Sequence, residues 1–295
     1  MPIPQTEVPE ITDYQFHYRG LTIGQGTVYD IIQVDGLEDL NIRVGDRDFP
    51  RSHGQIPGTH LASFRVINFD LEVNGVPGTA THNKSLQDLL SVLSPDQGDT
   101  DGSEEDEDRD KLYWKFPGSP IMFIRCRPAR RRIPRRSDTE YGYFPVTFQL
   151  RSADPRKYKA EINDSGNQTT FFDVVNAGDA KAYPVIFYRK TVSGTTGQLR
   201  NETTDTTFEL ENIGMGGIYV CDMDSYIRGA NFQTIQLSSV GPNNNQFPIW
   251  QDVGVNKYGS WKLPRKPFYL VPGTNRLVGF YATDTVRVFW YDTWM

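Results

Sequence analysis

Cysteine is nearly absent from this 295-residue chain, with Cys126 and Cys221 as its whole complement. Two thiols in separate halves exclude a disulfide framework, and they cannot make a zinc site without histidine. Histidine is also scarce. The four, His17, His53, His60 and His82, all lie in the first third of the sequence. None has an HExxH or an i, i+4 partner, so they read as ordinary surface histidines. No run of eighteen apolar residues occurs, which excludes a membrane-spanning helix. The N-terminus, Met1-Pro-Ile-Pro-Gln-Thr-Glu-Val-Pro-Glu10, has neither a basic start nor an apolar stretch. A secretory signal is therefore not expected there, and folding is expected in a cytoplasm.

Aromatic side chains and turn residues are plentiful. The hydrophobic share is only 37%, yet aromatics reach 13%, so Phe and Tyr must supply much of the buried area, and both favour strands. The net charge of -6 conceals a local asymmetry. Between Asp99 and Asp110, eight carboxylates stand against one arginine, a local charge of -7 that leaves the remainder near neutral. A basic cluster follows, with Arg125, Arg127, Arg130, Arg131, Arg132, Arg135 and Arg136.

The first half reads as strands with one helix. Strands are expected over 14–18, 28–34, 62–73, 121–127 and 143–150. In the third, Ile67, Phe69, Leu71 and Val73 share one face while Asn68, Asp70 and Glu72 share the other, the alternation of a half-buried sheet. Leu86, Leu89, Leu90 and Leu93 at helical spacing predict a helix over 84–93 with Asn83 as its N-cap. The segment 94–111 is too charged and too poor in apolar residues to order itself by burial, so a mobile, dispensable loop is expected. Pro128 and Pro134 argue against a central strand in the arginine cluster. The second half shows about eight short strands, at 171–176, 185–191, 205–210, 217–221, 232–237, 268–271, 277–282 and 286–291, which indicates a β-sandwich. In the last, Val286, Val288 and Trp290 face one way and Arg287, Phe289 and Tyr291 the other.

The pattern offers little catalytic chemistry. Gly24-Gln-Gly26 begins like a dinucleotide fingerprint, but Tyr29 takes the third glycine position and a strand follows. No Gly-x-Ser-x-Gly elbow exists. The acidic run has its glycine too early for an EF-hand, so a solvated charge run is preferred to a calcium site. The arginine cluster has no aromatic between Arg125 and Arg136 to stack a base, so pairing with acids of this chain or a neighbouring subunit is preferred to nucleic-acid binding. No enzyme activity, cofactor or metal is expected.

Leu150-Arg-Ser-Ala-Asp-Pro-Arg-Lys-Tyr158 ends an alternating strand at mid-chain and opens an all-β second half. Gly45-Asp-Arg-Asp-Phe-Pro-Arg-Ser-His-Gly54 through Pro57-Gly58 precedes the strand Arg65–Val73. Asn176-Ala-Gly-Asp179 precedes Tyr183-Pro-Val-Ile186, and Leu270-Val-Pro-Gly-Thr-Asn275 precedes the final hairpin. In this order the segments resemble the distal tail protein of long-tailed bacteriophages. The resemblance spans nearly the whole chain, apart from roughly 93–136, where nothing is carried over.

That resemblance implies an all-β fold with one helix, divided into a ring-forming N-terminal β-sandwich, residues 1–157, and a C-terminal galectin-like β-sandwich, residues 158–295. It implies a homo-hexameric ring that joins the tail tube protein to the tip or hub protein and leaves a channel for DNA. The location implied is the virion tail tip. The subunit interface is expected at Arg47, Arg51, Gly54 and Gly58, whose arginines can pair with carboxylates and whose glycines permit close approach. The second domain is expected to dock a receptor-binding protein or to bind a host glycan. Trp250, Trp261 and Arg287 are its candidate contact residues. The galectin sugar site depends on a histidine that the second half lacks, so docking is preferred. The alternative is a carbohydrate-binding module or adhesin acting on the host surface.

Overall fold

The computed structural model describes residues 8–43, 47–48, 55–56, 61–75, 79–94, 110–132, 144–191, 194, 196–211, 215, 218–223, 234–237, 254–256, 268–279 and 284–295. These fall into two compact units, 8–157 and 158–294.

The N-terminal unit is a sandwich of two antiparallel sheets. One runs in the order Leu21–Gly24, Gln15–Tyr18, Lys111–Lys115, Met122–Arg125. The other runs Arg127–Arg132, Pro145–Ser152, Arg65–Val73, Tyr29–Asp35. The predicted alternation is realised in full: Ile67, Phe69, Leu71 and Val73 are each 0% exposed. Register sets Phe148 opposite Phe69 and Leu150 opposite Ile67. The Phe69 and Phe148 rings stack at 4.8 Å, and Phe16 of the facing sheet meets Phe69 edge-on at 5.2 Å. Such aromatic contacts add to the burial that holds the two layers together.

The helix spans Ala80–Val92 and begins earlier than its leucines suggest. Its N-cap is Thr79, not Asn83, and the Thr79 hydroxyl accepts from the His82 amide at 3.3 Å. Leu89 and Leu93 enter the core while Leu86 packs against it. The first turn is polar, so hydrophobic periodicity could not reveal it. His82 is buried in that turn, and His17 is half-buried with Nδ1 2.9 Å from the Thr22 hydroxyl, which corrects the surface reading for both. His53 and His60 lie outside the described residues.

The arginine cluster holds no central strand, as its prolines predict. Arg127–Arg132 is a strand, but an edge strand, with a register shift between Pro128 and Arg130. The proline fits because it sits at an edge irregularity and breaks no central ladder.

The C-terminal unit is a second antiparallel sandwich. Its larger sheet is ordered Asn163–Asp164, Thr285–Trp290, Val185–Arg189, Ile218–Asp222, Thr234–Leu237, Gly254–Asn256. The smaller is ordered Phe171–Asn176, Gly273–Gly279, Thr196–Asn201, Thr206–Glu211. Val286, Val288 and Trp290 point into the core with Ile186 and Tyr188, facing Val174, Leu199, Phe208 and Leu277. The expected strand at 268–271 is only a single bridge between Ala182 and Leu270. The strand Thr196–Asn201 was hidden because its inward positions are Gly197, Leu199 and Asn201, a weak apolar signal. The chain is thus all-β apart from one helix among the described residues.

Candidate functional site

The second N-terminal sheet has a buried face and a polar face, and the polar face is the candidate site. Alternation turns Asn68, Asp70 and Glu72 away from the core, and register aligns them with Gln149, Thr147 and Pro145 on one side. On the other side Glu72 meets Asp30, Asp70 meets Gln33 and Asn68 meets Asp35. Arg130 and Arg132 lie opposite Gln149 and Thr147, and with them line a hollow of about 140 Å³. Charge is therefore graded across this sheet. Arginine dominates one edge strand and carboxylate the other.

Beside the acidic edge, Tyr29–Asp35, lies an open groove of about 790 Å³. Tyr14 and Phe116 form part of its wall, with their rings 6.3 Å apart and edge-on. Ile32 on the edge strand is 57% exposed although apolar.

The groove ends at the turn Gly36–Asp39, and buried charges fix that turn. Gly36 has φ +89°, and a Cβ there would lie 1.9 Å from the Val66 carbonyl oxygen, so only glycine fits. Arg65 is 0% exposed. Its Nη1 donates to the Leu37 carbonyl and its Nε to the Pro155 carbonyl at 3.0 Å, which ties the turn to the mid-chain corner. Lys157 Nζ adds an ion pair to Glu38 at 2.6 Å. The Ala153-Asp-Pro-Arg segment is itself a closed fork. Arg156 gives Nε to Asp154 Oδ1 at 2.9 Å and Nη2 to Oδ2 at 2.7 Å, with both residues buried. Sequence marked this segment as a strand stop. It did not reveal the clasp, because an arginine beyond a strand end reads as solvent-facing.

A second clasp sits at the start of the strand Lys111–Lys115. Asp110 is buried and takes Arg19 Nε at 3.1 Å and Arg127 Nε at 2.6 Å. Arg19 also donates to the carbonyls of Val92 and Ser94 at the helix end, and Arg131 donates to the Leu90 carbonyl at 3.0 Å. Pairing of the arginine cluster with acids of the chain is seen here for Arg127. The expectation that the whole stretch 94–111 is dispensable is corrected: Ser94, Asp110 and Lys111 belong to the folded unit, because Asp110 is the shared counter-ion of two arginines. Residues 95–109 lie outside the described residues.

The other expected site residues have different fates. Arg47 falls in the short strand Arg47–Asp48, which pairs with Gln55–Ile56, and nothing more is described of it. Arg51, Gly54, Gly58, Trp250 and Trp261 lie outside the described residues. Arg287 is described. It forks onto Asp164, with Nε to Oδ1 at 2.9 Å, and its guanidinium lies 4.8 Å from the Phe289 ring centroid. The hydrogen bond from Arg287 is the main cause that holds the Asp164 carboxyl below its ordinary pKa. Among the described residues no group of His, Cys, Asp and Glu is placed to hold a metal.

A buried network that the sequence did not announce lies just beyond the paired strands Val185–Arg189 and Thr285–Trp290, at Lys190 and Asp284, which are 1% and 2% exposed. Asp284 accepts from the Tyr188 hydroxyl at 2.6 Å, Lys190 Nζ at 3.0 Å and the Thr191 amide at 2.8 Å. Burial pushes its carboxyl up, but these donors outweigh burial and hold it below the ordinary carboxylate pKa.

No family model matches the sequence, and no curated protein does. Among solved structures, the chain is similar to the Dit protein of phage SPP1, described as a paradigm of the hub adsorption apparatus in phages that infect Gram-positive hosts. The identity is 16% and the TM-score 0.64, over 95% of this chain and 99% of that one. Chains of the phage P2 baseplate in its activated conformation, with Ca and with Sr, are 8% identical at TM-scores of 0.49 and 0.47. They cover 93% of this chain and 97% and 96% of theirs. The SPP1 likeness runs through both sandwiches, and the fold of this chain is that of the Dit protein.

Proposed function

We propose that this chain is a structural protein of a phage distal tail. Six copies form a ring through the N-terminal sandwich, joining the tail tube protein to the tip or hub protein and leaving a passage for DNA. The observation that carries this reading is the likeness to SPP1 Dit over 95% of this chain and 99% of that one. The polar face of the second N-terminal sheet supports it. Asn68, Asp70, Thr147 and Gln149 make a hydrated surface suited to a water-filled channel, where apolar side chains would adhere. The C-terminal sandwich, read as galectin-like, serves as a docking platform for a receptor-binding component. Its work is assembly rather than catalysis, carried out in the host cytoplasm and completed in the virion.

The test is location. In phage particles carrying an epitope tag on this chain, immunogold label is expected at the distal end of the tail. Label on the capsid or along the tail shaft, or particles free of the chain, would overturn the proposal.

A further inference from the structure

The smaller sheet of the C-terminal unit ends in two edge strands of unlike character. An edge strand presents unpaired N–H and C=O groups to any extended chain, and natural proteins guard such edges with charge, proline or a bulge. At one edge, Thr206–Glu211, the outer face carries Thr207, Glu209 and Glu211. At the other, Phe171–Asn176, the outer face carries Phe171, Asp173 and Val175. Phe171 is 61% exposed and Val175 52%. This strand has no lysine, no proline and no break in its register with Gly273–Gly279.

We propose that Phe171–Val175 takes up an extended strand of a partner protein, one that carries a lysine or arginine between two apolar side chains on one face. Three observations meet in this occupant. First, the backbone is open. The Thr170 carbonyl accepts from the Gly279 amide at 2.6 Å. Alternation therefore turns the backbone groups of Phe172 and Val174 toward Gly273–Gly279, and those of Phe171, Asp173 and Val175 toward the edge. There Trp290 Nε1 takes the Val175 carbonyl at 3.1 Å and marks where the edge closes. The N–H and C=O groups of Phe171 and Asp173 have no partner among the described residues. Second, Phe171 and Val175 flank Asp173 at a spacing of two, so alternate apolar side chains of an added strand would cover both. Third, Asp173 lacks a counter-charge. Arg276 stands opposite it, but that guanidinium lies 4.8 Å from the Phe171 ring centroid and pairs with Glu202 at 3.6 Å. Asp173 is exposed, with no ion pair or hydrogen bond to its side chain among the described residues. A basic side chain directly across the ladder supplies what is missing. A second copy is the poorer occupant. Antiparallel self-pairing in full overlap sets Asp173 against its own equivalent, with like charges face to face. In strand addition, main-chain hydrogen bonds give affinity and alternate side chains give specificity. The inference rests on the docking role proposed for the C-terminal sandwich, and adds to it the strand that docks and the chemistry of its partner.

The probe is a fluorescent peptide, acetyl-Thr-Ile-Thr-Lys-Thr-Val-Thr-amide, titrated with the full chain. Its pattern reads alike in both directions, so parallel and antiparallel addition are both tested. Saturable binding is expected, and about tenfold weaker binding when glutamate replaces the lysine of the peptide. Asp173→Lys should reverse that preference. Asp173→Pro removes one edge N–H and no bond of the sheet itself, so it should abolish binding of both peptides while circular dichroism and thermal midpoint stay unchanged. Where that variant folds poorly, the reversal by Asp173→Lys decides alone. Hydrogen exchange followed by NMR should show the amides of Phe171, Asp173 and Val175 slowing when the lysine peptide is added. The inference is overturned by a lysine peptide that does not saturate up to its solubility limit, by equal affinity for both peptides, by a folded Asp173→Pro chain that binds as the wild type does, or by unchanged exchange at the three amides. Self-association of the chain that is lost in Asp173→Pro would assign the edge to a second copy and also overturn it. Each of these leaves the tail location to be decided separately by the immunogold label, and a label away from the tail end would leave the peptide result standing.

Discussion

The N-terminal sandwich ties its loops with long cations, whereas the C-terminal sandwich ties its own with short amides and carboxylates. Arg65 reaches the carbonyls of Leu37 and Pro155, and Arg19 reaches Val92, Ser94 and Asp110. In the C-terminal unit Asn176, Asn201 and Asn275 are each 0% exposed. Asn275 accepts from the Val271 amide at 2.9 Å and donates to the carbonyls of Val271 and Gly273 at 2.7 and 3.0 Å. Asn176 closes its own turn through the Ala180 carbonyl and the Gly178 amide. A guanidinium has five donors on a long stem and can join segments far apart in sequence. An amide offers both donors and acceptors at short reach, so Asn176 and Asn275 lock the turns in which they stand, while Asn201 also donates to the Tyr269 carbonyl and to Asn275 Oδ1 on the adjoining strand. Damage should spread accordingly, widely in the first unit and locally in the second.

The largest effect should come from the exception to this rule. Asp284 is a carboxylate in the C-terminal unit, yet it is paired with a buried lysine. Asp284→Ala removes the carboxylate that pairs with Lys190, itself 1% exposed, a loss of about 4 kcal/mol. Urea denaturation followed by peptide-resolved hydrogen exchange checks this: exchange should quicken across the C-terminal strands and not in the N-terminal unit. The sign of the pH dependence follows from the depressed carboxyl. The group contributes fully above its unfolded pKa of about 3.9, and the contribution is lost as pH falls through the lower folded value. The wild-type C-terminal unit should weaken in that acid window, and Asp284→Asn should flatten the slope there.

Arg65→Met keeps most of the buried volume but removes the donors to Leu37 and Pro155, at a cost of about 3 kcal/mol. If the contrast between the units holds, protection should fall at both 36–39 and 152–157, although they are far apart in sequence. Protection lost at one segment only would show that the arginine is not the joint between them. Asn275→Ala should cost less, about 2 kcal/mol, and should expose chiefly the amides of 270–275. Loss of protection throughout the C-terminal sandwich would contradict the local role.

Much of this fold was legible because its strands alternate cleanly. Ile67, Phe69, Leu71 and Val73, like Val286, Val288 and Trp290, were placed on the correct face by period two alone. The helix was found by its leucines but not its start, since Thr79 caps a polar first turn. At Arg127–Arg132 the proline correctly excludes a central strand, while proline and charge together conceal that an edge strand is present. The clasps were invisible for a common reason. Arg65, Lys190 and Asp284 carry the charges that normally face water, and burial of such a residue depends on partners 90 or more positions away.

The smallest expected effect is at Arg287, and it sharpens the comparison at the surface. This residue combines an ion pair to Asp164 with a place over Phe289, on the half-exposed face of the strand Thr285–Trp290. Both side chains of the pair retain contact with solvent, at 26% and 33% exposure, so the pair is screened and its worth to folding is under about 1 kcal/mol. Arg287→Ala should therefore leave the unfolding midpoint nearly unchanged, unlike the buried substitutions. An arginine stacked on an aromatic is nonetheless a common anchor at protein interfaces. If the C-terminal unit docks a tail component through this face, particles carrying Arg287→Ala should retain the chain but bind less of that component, measured by gel densitometry of purified virions. Wild-type stoichiometry in those particles would remove Arg287 from the docking surface and confine its role to the Asp164 pair.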